Sequence, residues 1–153
     1  MNAIELLKDD HDKVGRLFEK VKADEDGDHK DTFEQIKAEL DVHTHIEEVV
    51  FYPKMRDEGD EELKKIILEG FEEHHQAKMF LRELSNLVED SEKFQPKLKV
   101  LMEDIEHHVQ EEEGKMFPMI EEQFDEYTLQ ELGQQMEKEK KTFGQSNKAA
   151  RAG

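Results

Sequence analysis

The chain has no cysteine and no tryptophan, only three prolines and eight glycines, and far fewer basic than acidic residues. The absence of cysteine excludes a disulfide framework, thiolate catalysis and cysteine-ligated zinc or iron–sulfur sites. Scarce proline and glycine leave long stretches without a helix breaker. Twenty-two Lys and Arg stand against 40 Asp and Glu, a net charge of −18. Such a surface repels phosphate backbones and argues against nucleic-acid binding. No apolar run is long enough to span a bilayer, and MNAIELLKDDHDK lacks the basic start of a secretory signal. A cytoplasmic protein with no membrane partner is expected. Its 153 residues suit one domain around one core.

Acidic or polar breaks at ADEDGDHKD (23–31), RDEGDE (56–61) and EDSE (89–92) separate stretches of helical period. They predict helices over about 3–22, 31–57, 60–89 and 93–123. Thr128 with Glu131 suggests a capping box for a shorter fifth helix over 129–143. Residues 1–145 then form the domain and 146–153 a flexible tail. The fold class is all-α, an up-and-down four-helix bundle with an additional short C-terminal helix. Pro53 and Pro118 fall late in the second and fourth helices, where each should kink or end its helix.

Each long helix carries an apolar stripe, and a histidine interrupts every one. The stripes run Ile4, Leu7, His11, Val14, Phe18, Val21; then Phe33, Ile36, Leu40, His43, Glu47, Val50. The third runs Ile67, Phe71, His74, Ala77, Leu81, Leu84, Val88, and the fourth Leu98, Leu101, Ile105, His108, Glu112, Met116, Met119. Buried glutamate is rare unless paired or metal-bound. His-x-x-x-Glu alone carries little information: eight histidines among 40 acids in 153 residues give about two such pairs by chance, and the chain has three.

Recurrence carries more. HTHIEEVVFYP at 43–53 aligns with HVQEEEGKMFP at 108–118, matching His, both Glu and Pro. DHDKVGRLF aligns with EHHQAKMFL, matching His11 to His74. The chain reads as two similar helix pairs, each giving one His and then one His-x-x-x-Glu. Either histidine alone would pass for a satisfied core residue. Four imidazoles and two carboxylates at one depth would bury uncompensated charge at a cost of several kcal/mol, which a divalent metal pair removes. Iron, manganese and zinc all suit such ligands. The acidic runs Glu111–Glu113 and Glu61–Glu62 read as solvated faces. His45, His75 and His107 lie off the stripes, and His29 falls in a loop and is expected to be inert. Tyr52 falls on the opposite side of its helix from His43.

The order His … His-x-x-x-Glu … His … His-x-x-x-Glu, carried by DH at 10–11, HTHIEEVVFYP, EHH at 73–75 and HVQEEEGKMFP, resembles the bacterial hemerythrin-like (HHE cation-binding) domains over roughly residues 3–143. The resemblance implies a non-haem centre of two iron ions, oxo- or hydroxo-bridged, in a hemerythrin-like bundle. His11, His43, His74 and His108 would be terminal ligands, and Glu47 and Glu112 bridging carboxylates. Oxygen-carrying hemerythrins have a second histidine one turn after the third-helix ligand; here that position is Lys78. Their fourth-helix carboxylate lies five residues after its histidine, which here is Glu113, but Glu112 shares the stripe with His108. The missing imidazole leaves an open position, or one filled by water, Lys78 or another acid. The implied partner is a small ligand such as oxygen, nitric oxide or peroxide, in a dry pocket lined by Val14, Phe51, Leu81 and Met116, with an external electron donor for any turnover. Iron or oxygen sensing, and iron storage, are the alternatives. No residue is assigned a catalytic role.

Overall fold

Asn2 opens the first helix with a capping box: its side chain accepts from the Glu5 N–H, and the Glu5 carboxylate accepts from the Asn2 N–H. From there a computed structural model describes the backbone of residues 1–88 and 90–152, and side chains as far as residue 145. Helix α1 is Ala3–Ala23. Helix α2 starts as Lys30–Ile46, passes through a π-helical stretch Glu47–Phe51 and ends as Tyr52–Glu58. Helix α3 is Glu61–Asn86, capped by the Asp60 side chain. Helix α4 repeats the pattern of α2, with Phe94–Glu111, a π-helical Glu112–Met116 and Phe117–Gln123. Helix α5 is Glu126–Ala152.

The first four helices form the expected up-and-down bundle, and α5 packs across α1 and α2. None of the described helices is long and apolar enough to cross a membrane. The core is layered. Ile4 and Leu7, Phe51 and Met55, Leu63 and Ile67, and Phe117 and Ile120 build one apolar cluster, closed by Leu129, Leu132 and Met136 of α5. Val14 and Phe18, Phe33 and Ile36, Leu81 and Leu84, and Leu98 and Leu101 build the other. Every one of the four helices passes from one cluster to the other, and its histidine falls at the crossing.

Several boundaries differ from expectation. Pro53 and Pro118 do not end their helices. Each lies just beyond a π turn, whose wider hydrogen-bond spacing absorbs the N–H that proline lacks. The extra residue of each π turn advances the buried face by one: Phe51 replaces Val50 in the core and Ile120 replaces Met119. Val88 is exposed because α3 stops at Asn86. Asp125 caps α5 in place of Thr128, accepting from the Thr128 N–H at 2.8 Å, so the helix begins earlier; it also runs on to Ala152. The side chains of 146–153, where the flexible tail was expected, lie outside the described residues.

Candidate metal centre

All six sequence-predicted ligands meet in the layer between the two apolar clusters, and all are buried. His11 comes from α1, His43 and Glu47 from α2, His74 from α3, and His108 and Glu112 from α4. Glu47 Oε1 lies 3.0 Å from His43 Nε2 and 3.1 Å from His74 Nε2. Glu112 Oε1 lies 3.1 Å from His11 Nε2 and 3.5 Å from His108 Nε2. Each carboxylate therefore stands between an imidazole of one half and an imidazole of the other. Two triads close to within 4.8 Å: His11, His43 and Glu112, and Glu47, His74 and His108. Despite these close approaches, His43 Nε2 and both Glu47 oxygens, all buried, make no hydrogen bond of proper geometry. Buried polar atoms left without hydrogen bonds, in triads of nitrogen and oxygen donors only, fit metal binding.

The positions of Glu47 and Glu112 share a local cause. Glu47 and Glu112 are each the first residue of a π turn, and the N–H five residues on, of Tyr52 and Phe117, bonds back to the Glu carbonyl. Widened turns of this kind are commonly found at functional sites. Here the widening rotates the residues that follow, and Tyr52, expected to point away, instead enters the centre. Its hydroxyl donates to Glu112 Oε2 at 2.6 Å and lies 3.3 Å from His74 Nε2 and 3.4 Å from His108 Nε2. Gly70 of α3 makes room for the ring: a Cβ there would stand 3.0 Å from the Tyr52 oxygen. The matching residue of the second half is Phe117, whose ring stacks on His11 at 6.0 Å. The two halves thus differ here by one hydroxyl.

Every ligand imidazole is held from behind by a carboxylate on Nδ1. Asp10 lies 3.1 Å from His43, Glu73 2.9 Å from His108, Glu48 3.2 Å from His74 and Glu113 2.7 Å from His11. The pattern follows the repeat. The acid before the first His of each half holds the second His of that half, and the acid after each bridging Glu crosses to the other half. With Nδ1–H donating outward, each Nε2 presents its lone pair to the centre. Glu113 is thus not merely a solvated residue; it orients His11, while Glu112 lies between His11 and His108. The signal available in the sequence was the doubled acid, matched in both halves.

Without metal, the centre balances charge through protons on His43, His74 and His108. Burial pushes the His43 pKa down, but attraction to Glu47 and the bond to Asp10 outweigh it and raise it to about 10. His108 is raised well above its ordinary value: burial opposes the shift, but the charge of Glu112 overrides it. His74 is raised too, with Glu47 and Glu48 overcoming burial. Glu112 is held well below the usual carboxylate range because the charge of His108 overrides its burial. Burial and the charge of Glu112 keep the Tyr52 phenol protonated.

Lys78 does not reach inward. It is largely exposed and donates to Glu48 at 2.6 Å. Val14, Phe51, Leu81 and Met116 are all buried, but they flank the centre in two clusters, Val14 and Leu81 on one side and Phe51 and Met116 on the other. His29 is buried, not idle: it bonds Gln95 at 2.8 Å and the Asp24 carbonyl, closing the α1–α2 connection. His45 pairs with Glu139 at 2.8 Å, His107 is exposed beside Glu111, and His75 is exposed.

The model of the hemerythrin HHE cation binding domain matches residues 2–120. An uncharacterized hemerythrin-like protein of Schizosaccharomyces pombe is 29% identical over 133 residues, 86% of this chain and 66% of that protein. A DNA nickase of Nostoc sp. is 28% identical over 124 residues, 78% of this chain and 34% of that protein. The chain thus spans about a third of one relative and just under two thirds of the other. Among solved structures, a hemerythrin HHE cation binding domain-containing protein from Mycobacterium kansasii superposes with a TM-score of 0.79 at 26% identity, covering 95% of this chain and 89% of that one.

Proposed function

The chain belongs to the hemerythrin HHE cation-binding domain family, and from that premise we propose that it holds two iron ions and binds or reacts with a small ligand, oxygen, nitric oxide or peroxide, at an open iron position. The observation that carries this reading is the placement of Glu47 and Glu112, each between imidazoles of both halves, with buried atoms of His43 and Glu47 unpaired. One metal would take His11 and His43, the other His74 and His108, and each carboxylate would span the pair. The iron pair supplies redox and Lewis-acid chemistry when bound. The chain supplies the rest. Four outer carboxylates fix the imidazoles. Apolar residues on both sides exclude water. The Tyr52 hydroxyl places one proton donor beside the second triad. Lys78 leaves that space free. The net charge of −18 supports a small molecule as partner over nucleic acid or an anionic membrane. We place the protein in the cytoplasm, with electrons for any turnover coming from an external donor.

A second reading, iron or oxygen sensing, is favoured by one contact. Asp10 bonds both His43 and Lys140 of α5, so loss of a ligand contact at His43 would be felt by a helix outside the four-helix core. The test is an absorption spectrum of aerobically isolated protein before and after dithionite. Near-ultraviolet bands that bleach on reduction are expected. A featureless spectrum from fully metal-loaded protein, as zinc would give, overturns the iron reading.

A further inference from the structure

Between α2, α3 and α5 lies a cavity of ≈ 570 Å³ whose chemistry runs against the rest of the chain. Among the described lining residues Lys37, Lys78 and Arg82 stand with Asp41 and Glu48, the acids each already engaged, in a chain where acids outnumber bases 40 to 22. Lys78 and Arg82 are four residues apart on α3 and so share a face. Among the described residues Lys78 has Glu48 as its ion-pair partner. Lys37 and Arg82 appear in none of the ion pairs or side-chain hydrogen bonds found there. The rest of the wall is mixed: Val49, Leu81 and Phe143 give an apolar part, and Thr44, His45, Ser85 and Asn86 a neutral polar part. The Phe143 ring is not loose: it stacks on His45 at 4.3 Å and 27°, and His45 is anchored by Glu139.

We propose that this cavity binds a small organic carboxylate. The charge would sit on Arg82 and Lys37, where the guanidinium offers a planar fork matched to a carboxylate, and the carbon body would lie against Val49, Leu81 and Phe143. Inorganic phosphate satisfies the cations but leaves the apolar wall unused; a neutral alcohol does the reverse. The site is distinct from the metal centre yet adjoins it. Glu48 forms part of its lining and accepts from both Lys78 and the His74 imidazole, so a second carboxylate on the ligand would compete with Glu48 for Lys78.

The test is a calorimetric and NMR titration of the full chain with succinate, with metal content held constant and measured before and after. The outcome then does not depend on which metal the centre holds. One saturable site is expected, with shifts at the Val49 and Leu81 methyls. The double substitution Lys37→Gln and Arg82→Gln should weaken binding at least tenfold without moving the unfolding midpoint, while Lys99→Gln, remote from the cavity, should leave binding unchanged. Phosphate should bind at least tenfold more weakly than succinate. Absence of saturable binding, undiminished binding in the double variant, or equal affinity for phosphate overturns the proposal.

Discussion

Glu73 and Glu113 face away from the two triads, yet each sets how an imidazole stands: Glu73 holds His108 and Glu113 holds His11. Substituting either by Gln keeps the shape but removes the charge that orients the ring. Metal affinity should fall by about 10–100-fold, the usual cost of losing such a partner. His107→Ala, on an exposed neighbour, should leave it unchanged. Competition against a chelator of known affinity reads both, and equal effects would contradict the assignment. The imidazoles also set a pH signature. His43, raised from 6.5 to about 10, stabilises the metal-free fold fully below pH 6.5, and that stability is lost as pH rises through about 10, at about 1.4 kcal/mol for each pKa unit. Glu112, held low, adds stability above its ordinary 4.5 and loses it as pH falls. Metal-free protein should therefore be most stable between these ordinary values. Metal-bound imidazoles are neutral, so the loaded protein should lose nothing on the alkaline side. Guanidinium unfolding of both forms should show a stability gap that widens from pH 6.5 to about 9. A constant gap would contradict the proton balance described above.

At the scale of elements, the helices and their buried faces were legible because 3.6-residue periodicity is strong in a chain with few breakers. The burial of Glu47 and Glu112 among the four histidines was legible because two stretches repeat. The π turns were not. A straight helix advances about 100° per residue, which sends Tyr52 to the far side from His43. One inserted residue undoes that extrapolation, and no residue preference announces it beyond a proline six places after each bridging Glu. The outer carboxylates were hidden differently: in so acidic a sequence Glu113 looks like any solvated acid until its partner from α1 is in place. The Tyr52 position yields a paired test. Gly70→Ala forces a Cβ to 3.0 Å from the Tyr52 oxygen, against a fully buried ring, and should cost about 1–3 kcal/mol. Gly15→Ala meets nothing within 4 Å and should stabilise by roughly 0.5–1 kcal/mol through helix propensity. Thermal melting of the two variants reads the difference; similar midpoints would mean that α3 does not hold Tyr52 as described.

At the scale of the molecule, two apolar clusters enclose a polar layer that only a charged occupant or added protons can balance. The layer draws equally on both halves of the repeat, so the account requires two metals per chain, neither half sufficing for a bridge. The most direct measurement is elemental analysis of the full chain after anaerobic loading with ferrous iron and removal of the excess. Two irons per chain are expected, falling together with the unfolding midpoint in His43→Ala and His108→Ala. One iron or none in the unsubstituted chain, or two irons retained in both variants, would contradict it.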